Sequence, residues 1–174
     1  FDHSGNLTRI SHILRDISGR MKAEKELIRR ISRFKVEKGK IYLVEGSADL
    51  CDDVMEDLLK CGFSSYIFTR RHQDEIKCDA EIYYLSERKG GNVIPPDLDK
   101  LKEKILKLPG WNNAVVIDLD YLITKNGFSK VLEFVHDLRD VFYLFRKGII
   151  ILNLDPGVIS ERELRLLRKD CEPL

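Results

Sequence analysis

Two stretches of this chain, Ala114-Val115-Val116-Ile117-Asp118 and Gly148-Ile149-Ile150-Ile151-Leu152, carry no polar alternation at all. A strand with one wet face alternates apolar and polar side chains, so an unbroken apolar run must be covered on both faces. Three further strands read as Lys40–Glu45, Ser65–Thr69 and Glu81–Leu85, with the two apolar runs completing five as 114–118 and 148–154. Helical patterns fall between them. Ser47 can cap a helix running to about Cys61, with Gly62 as its stop. Pro95-Pro96 opens a helix carrying Leu98, Leu101, Ile105 and Leu108. Asn126-Gly127 leads into a long helix with Phe128, Val131, Val135, Leu138, Phe142 and Phe145 inside, and Ser160 with Glu163 forms a capping box for the last one. Strands alternating with helices predict an α/β fold, a three-layer sandwich with a mainly parallel five-stranded sheet.

The 174 residues suit one domain with attachments. The net charge of +1 is unevenly spread: residues 1–39 hold ten Lys/Arg and five Asp/Glu, a local +5 that leaves −4 for residues 40–174. A mildly acidic folded part argues against nucleic-acid binding, and the basic stretch reads as a solvated helix. No apolar run reaches the length needed to span a membrane. Cys51, Cys61, Cys78 and Cys171 form no CxxC pair, and no signal peptide is visible. The expectation is a cytoplasmic protein with reduced thiols.

Upstream of the domain, Gly5-Asn6 reads as a turn and Leu7 to Ile17 as a strand. A helix is expected over residues 18–38, capped by Ser18 and ended by Gly39. Ile17, Leu27, Ile31 and Phe34 fall near a/d spacing on it, with Arg20 and Glu24 interrupting the stripe. These four are the candidate interface residues, through which a protein partner or a second copy would be met.

In open parallel sheets, ligands bind outside the carboxyl ends of the strands. That rule gathers Glu45, Gly46 and Ser47, then Thr69 and Arg70, then Ser86 and Glu87, Asp118 and Asp120, and Asn153 and Asp155 on one rim. From these, Arg70, Asp118, Asp120, Asn126 and Asp155 are the candidate ligand-binding residues. Several established chemistries are missing. The turn Glu45-Gly46-Ser47-Ala48-Asp49 lacks the second glycine and the lysine of a phosphate-binding loop, although Asp118 is placed like an Mg-holding acid. Asn153-Leu154-Asp155 supplies no lysine for a phosphoacceptor site. No G-x-S-x-G elbow is present. The four histidines have no metal or triad spacing. Asp52-Asp53 and Glu56-Asp57 read as the outer face of their helix, placed to favour its dipole. No catalytic residue, metal or cofactor is assigned.

Asp16-Ile17-Ser18-Gly19-Arg20-Met21-Lys22-Ala23-Glu24-Lys25-Glu26-Leu27 resembles the last strand and exit helix of a PAS sensor domain. Residues from about Lys40 to Leu167 resemble a family of unknown function, number eight-three-five, found mainly in archaea and often behind PAS domains. The resemblance rests on Tyr42-Leu43-Val44-Glu45, Thr69-Arg70, Ile94-Pro95-Pro96-Asp97-Leu98, the run Asp118 to Phe128, and Asp155-Pro156. It implies no activity and carries over no catalytic residues. The strand pattern is also similar to RecA- and KaiC-like ATPase cores, without their P-loop.

Together these give a PAS remnant over 1–17, a signalling helix over 18–38 and an α/β domain over 39–174. The function expected is a non-catalytic signal-transduction output or regulatory module. The alternative is a ligand-binding domain that senses a nucleotide or small anion at the rim.

Overall fold

The computed structural model describes residues 19, 20, 23, 33–145 and 147–174. Strands β1 (Ile41–Glu45), β2 (Ser64–Thr69), β3 (Glu81–Leu85), β4 (Val93–Ile94), β5 (Asn113–Asp118), β6 (Gly148–Leu154) and β7 (Glu172–Pro173) form one sheet. Their spatial order is β4-β3-β2-β5-β6-β1-β7, and every neighbouring pair is parallel. The α/β class and the parallel sheet agree with the sequence. The expected five strands become seven, because β4 and β7 are two-residue edge strands too short to show a pattern.

Among the described residues the sheet alternates with five helices: α1 (Ala48–Lys60), α2 (Leu98–Leu106), α3 (Leu119–Asn126), α4 (Phe128–Phe145) and α5 (Glu161–Asp170). Alternate residues of β5 and β6 enter two different cores. Val115, Ile117, Ile150 and Leu152 pack with Leu101, Leu122, Leu138 and Leu167 from α2 to α5. Ala114, Val116, Ile149 and Ile151 pack with Cys51, Val54, Met55 and Leu58 of α1. This two-sided burial is why neither strand alternates in polarity. Inside the first core Phe68 and Tyr83 stack with centroids 5.0 Å apart.

Three expectations about helices are corrected, the first being Phe145 of α4, expected inside and 61% exposed. Residues 119–126 form a separate helix, α3, where only a strand end and a loop were expected. Leu119, Leu122 and Ile123 fill its buried side, and Gly127 ends it at φ +84°. The helix expected over 18–38 does not extend over residues 33–38, which form bends, irregular chain and the start of a turn. Val36 is 3% exposed in the α1-side core. Glu37 donates its amide to the Tyr42 hydroxyl at 2.8 Å. Gly39 turns at φ +82° and donates its amide to Gly148 O at 2.6 Å. These attachments draw residues 36–39 onto the domain, and Gly39 closes a turn rather than a helix. Gly19, Arg20 and Ala23 are helical. The strand read over Leu7–Ile17 and the PAS remnant of residues 1–17 lie outside the described residues, as do Leu27 and Ile31. Phe34 is described, and its ring packs against the α1-side core beneath the Arg33 guanidinium, 4.7 Å away.

At the amino ends of β5 and β6 the backbones approach closely: a Cβ on Gly148 would overlap the carbonyl oxygen of Asn113. Gly148→Ala should therefore destabilise the fold by about 1–3 kcal/mol, the range for forcing extra atoms into a packed site. Urea denaturation of the two proteins measures the difference.

Candidate functional site

Polar side chains excluded from the strand interiors collect where the strands end. Helix α1 starts at the rim, with Ser47 Oγ accepting from Leu50 N at 3.3 Å. Its second turn carries Asp52, which is 1% exposed. The expected outer-face position of Asp52 is thus corrected. The residue borders the stripe of Cys51 and Met55, and it faces the chain leaving β2. There Arg71 meets it in a two-pronged fork, Nη1 to Oδ2 at 3.1 Å and Nη2 to Oδ1 at 2.9 Å. Lys77 N adds a third hydrogen bond to Asp52 Oδ2 at 3.1 Å. Burial pulls the Arg71 pKa down, but the hydrogen bonds to Asp52 and the charges of Asp52 and Asp118 outweigh it, leaving the guanidinium more firmly protonated than usual.

Asp118, at the end of β5, lies on the same network. One carboxylate oxygen accepts from the Thr69 hydroxyl and the other from Asn153 Nδ2 at 2.8 Å. Arg71 Nε lies 3.9 Å from Asp118 Oδ2. Thr69 Oγ1 also accepts from Arg71 N at 2.9 Å. The ends of β2, β5 and β6 are thereby joined to α1. Burial, chiefly, and the charge of Asp118 push the Cys51 thiol beneath this network up to about 12, so it is not a nucleophile.

Of the five candidate ligand-binding residues, three sit close together. Asp120 Oδ1 accepts from Asp155 N at 3.0 Å, and Asp155 Oδ1 accepts from Gly157 N at 2.9 Å. Asp118 lies beside them through Asn153. Arg70 turns the opposite way from Arg71, onto the Tyr121 ring of α3 at 4.4 Å. Asn126 is elsewhere: its Nδ2 donates to Pro96 O at 2.8 Å and Leu122 O at 3.0 Å, beyond β4. It fastens the end of α3 rather than joining the acids. Helix α3 thus begins after β5, passes Arg70 with Tyr121 and Glu87 with Lys125, and is tied down by Asn126 near the exit of β4. It lies as a crossbeam over the ends of β2 and β3.

Two further rim features went unrecognised in the sequence: the Asp52–Arg71 fork, and a second one in which Arg168 of α5 grips Glu45 with both contacts at 2.7 Å. Helical spacing of Asp52 with Met55 was the available signal for the first. Among the described residues there is no grouping of His, Cys, Asp and Glu fit for a metal ion, and no helix long and apolar enough to cross a membrane. The four cysteines are free thiols.

Residues 44–171 match the family described as protein of unknown function (DUF835), and the chain belongs to that family. The match covers nearly the stretch that carried the resemblance. No curated protein matches the chain. Among solved structures, the chain is similar to one described as "Structural study of Project ID PH0250 from Pyrococcus horikoshii OT3". The two share 10% identity over 84% of each chain, with a TM-score of 0.53. At that identity the likeness is one of α/β fold.

Removing one partner of the buried fork leaves the other charge stranded, so Arg71→Ala should cost about 3–5 kcal/mol. The double variant Asp52→Leu/Arg71→Met should recover much of that loss in chemical denaturation. Asp120 provides a pH test. Burial first, then the charges of Asp118 and Asp155, raise its pKa against the opposing hydrogen bond from Asp155 N. A folded pKa above the unfolded value favours folding in acid, and that advantage fades as pH rises through the folded pKa. Asp120→Asn should therefore raise the melting temperature at pH 7. The gain should vanish below about pH 4, where the carboxyl is protonated in both states.

Proposed function

We propose that this DUF835 member is a non-catalytic output or regulatory module of signal transduction, coupled to an upstream PAS sensor by the segment that enters before β1. The observation that carries this reading is that carboxylates along the β1, β2, β5 and β6 ends are held by donors of the chain itself. Asp52 is held by Arg71, Asp118 by Thr69 and Asn153, Asp120 by the Asp155 amide, and Glu45 by Arg168. A general base or nucleophile needs a carboxylate or thiol poised toward substrate, and these carboxylates are turned to donors within the domain. The turn after β1 is closed as well: Gly46 N donates to Leu154 O at 2.8 Å, so that amide is not turned toward a phosphate.

The entering segment supports the coupling half of the reading. Arg33 pairs with Asp53 at 3.1 Å, and its amide donates to Asp57 Oδ2 at 2.7 Å. Val36 enters the α1-side core, the Lys38 ammonium reaches Asn112 Oδ1, and Gly39 bonds to the start of β6. A displacement arriving at residue 33 is thus transmitted to α1 and to the two central strands together. Ile17, Leu27 and Ile31, upstream of these anchors, would meet a second copy or another protein in the cytoplasm of an archaeal cell.

In sedimentation velocity, Leu27→Asp or Ile31→Asp should dissociate the oligomer while leaving the domain folded by circular dichroism. An unchanged sedimentation coefficient in both variants would remove the helix from this role.

A further inference from the structure

The paired rim ends at β2, and on the far side of Arg70 the chemistry changes. Arg70, Ser86, Glu87, Arg88, Tyr121 and Lys125 line one open cleft of about 560 Å³ between α3 and the ends of β2 and β3. From β2 the sheet grows outward through β3 and β4, whereas from β5 it grows the other way through β6. Strands β2 and β5 therefore flank the point where the winding reverses. The Thr69–Asp118 hydrogen bond closes the gap between those two strand ends, and the cleft opens one strand further out, over β2 and β3, on the same carboxyl edge where open α/β sheets bind ligands.

Three cations against one carboxylate leave the lining at +2. The Arg70 guanidinium lies over the Tyr121 ring at 4.4 Å and spends one N–H on Leu85 O at 3.4 Å, leaving further donors on its fork. Arg88 is exposed, and its backbone amide is fixed by Ser86 Oγ at 3.2 Å. Lys125 meets Glu87 at 3.0 Å, with side chains 37% and 67% exposed, a pair that an incoming anion can displace. Arg71, by contrast, is consumed by Asp52.

We propose that this cleft binds the dianionic phosphate of a small phosphomonoester. Two guanidinium forks match phosphate oxygens in pairs, and Lys125 adds the compact charge that completes neutralisation. The volume exceeds that of a bare ion, and Tyr121 with Arg70 over its ring forms one wall for the group that carries the phosphate. This site is independent of the entering segment at residues 33–39.

Amide-resolved NMR titration of the chain with phenyl phosphate and with inorganic phosphate tests the assignment. Saturable shifts confined to residues around 70, 86–88 and 121–125 are expected, tighter for phenyl phosphate and weaker at higher salt. Arg88→Ala and Lys125→Ala should each weaken binding roughly tenfold, the scale of one charge-assisted hydrogen bond. Both side chains are exposed, so neither change threatens the fold. Glu87→Gln should strengthen binding by freeing Lys125. No saturable shift at tens of millimolar, equal affinity for the two probes, or unchanged binding in the Arg88 and Lys125 variants would each overturn the proposal.

Discussion

An interior parallel strand hydrogen-bonds to a neighbour on each side, so its backbone needs nothing from water. Only then can side chains on both of its faces be apolar. Strands β5 and β6 meet that condition between β2 and β1, and residues Ala114–Ile117 and Ile149–Leu152 are fully buried as a result. Polar groups are consequently driven to the strand ends, where they must satisfy one another or face solvent. The Asp52–Arg71 fork and the Thr69–Asp118–Asn153 chain follow from that exclusion.

The rim divides into two halves of different character. Over β5, β6 and β1, Asp118, Asp120 and Glu45 each accept from a neighbouring element, so the half acts as a clasp among α1, α5 and the sheet. Over β2 and β3, the crossbeam α3 holds Tyr121 and Lys125 against Arg70 and Glu87 without burying their charges. The chain leaving β2 supplies both halves: Arg71 points into the clasp and Arg70 into the cleft. The bend after Thr69 turns these consecutive residues apart, which separates their roles.

The unbroken apolar runs made β5 and β6 legible, and β3 and β6 have the bounds that the sequence suggested. Strands β4 and β7 were not legible, since two residues carry no periodicity. Helix α3 was legible in principle: Leu119, Leu122 and Ile123 lie at helical spacing before Asn126-Gly127, but the preceding acid drew attention to a strand end. Asp52 was misplaced because a run of acids suggests a wet helix face, while only the fold brings Arg71 to it from 19 positions away. Asn126 was grouped with the rim acids by chain proximity, whereas its amide reports the far end of α3. Phe34 had helical spacing but was claimed by the domain core.

The two outermost segments of the domain share a neighbour. Strand β7 lies beside β1 at the edge of the sheet, pairing Tyr42 with Glu172 and Leu43 with Pro173, and Leu174 N returns to Leu43 O at 3.3 Å. The chain enters β1 from its amino end and leaves β7 from its carboxyl end. Tension applied between Gly39 and Leu174 would load these ladders in shear, with several hydrogen bonds resisting at once rather than unzipping singly. The five-residue β1–β6 ladder stands behind them in the same direction. A pull along the strands thus meets paired backbone rather than loop.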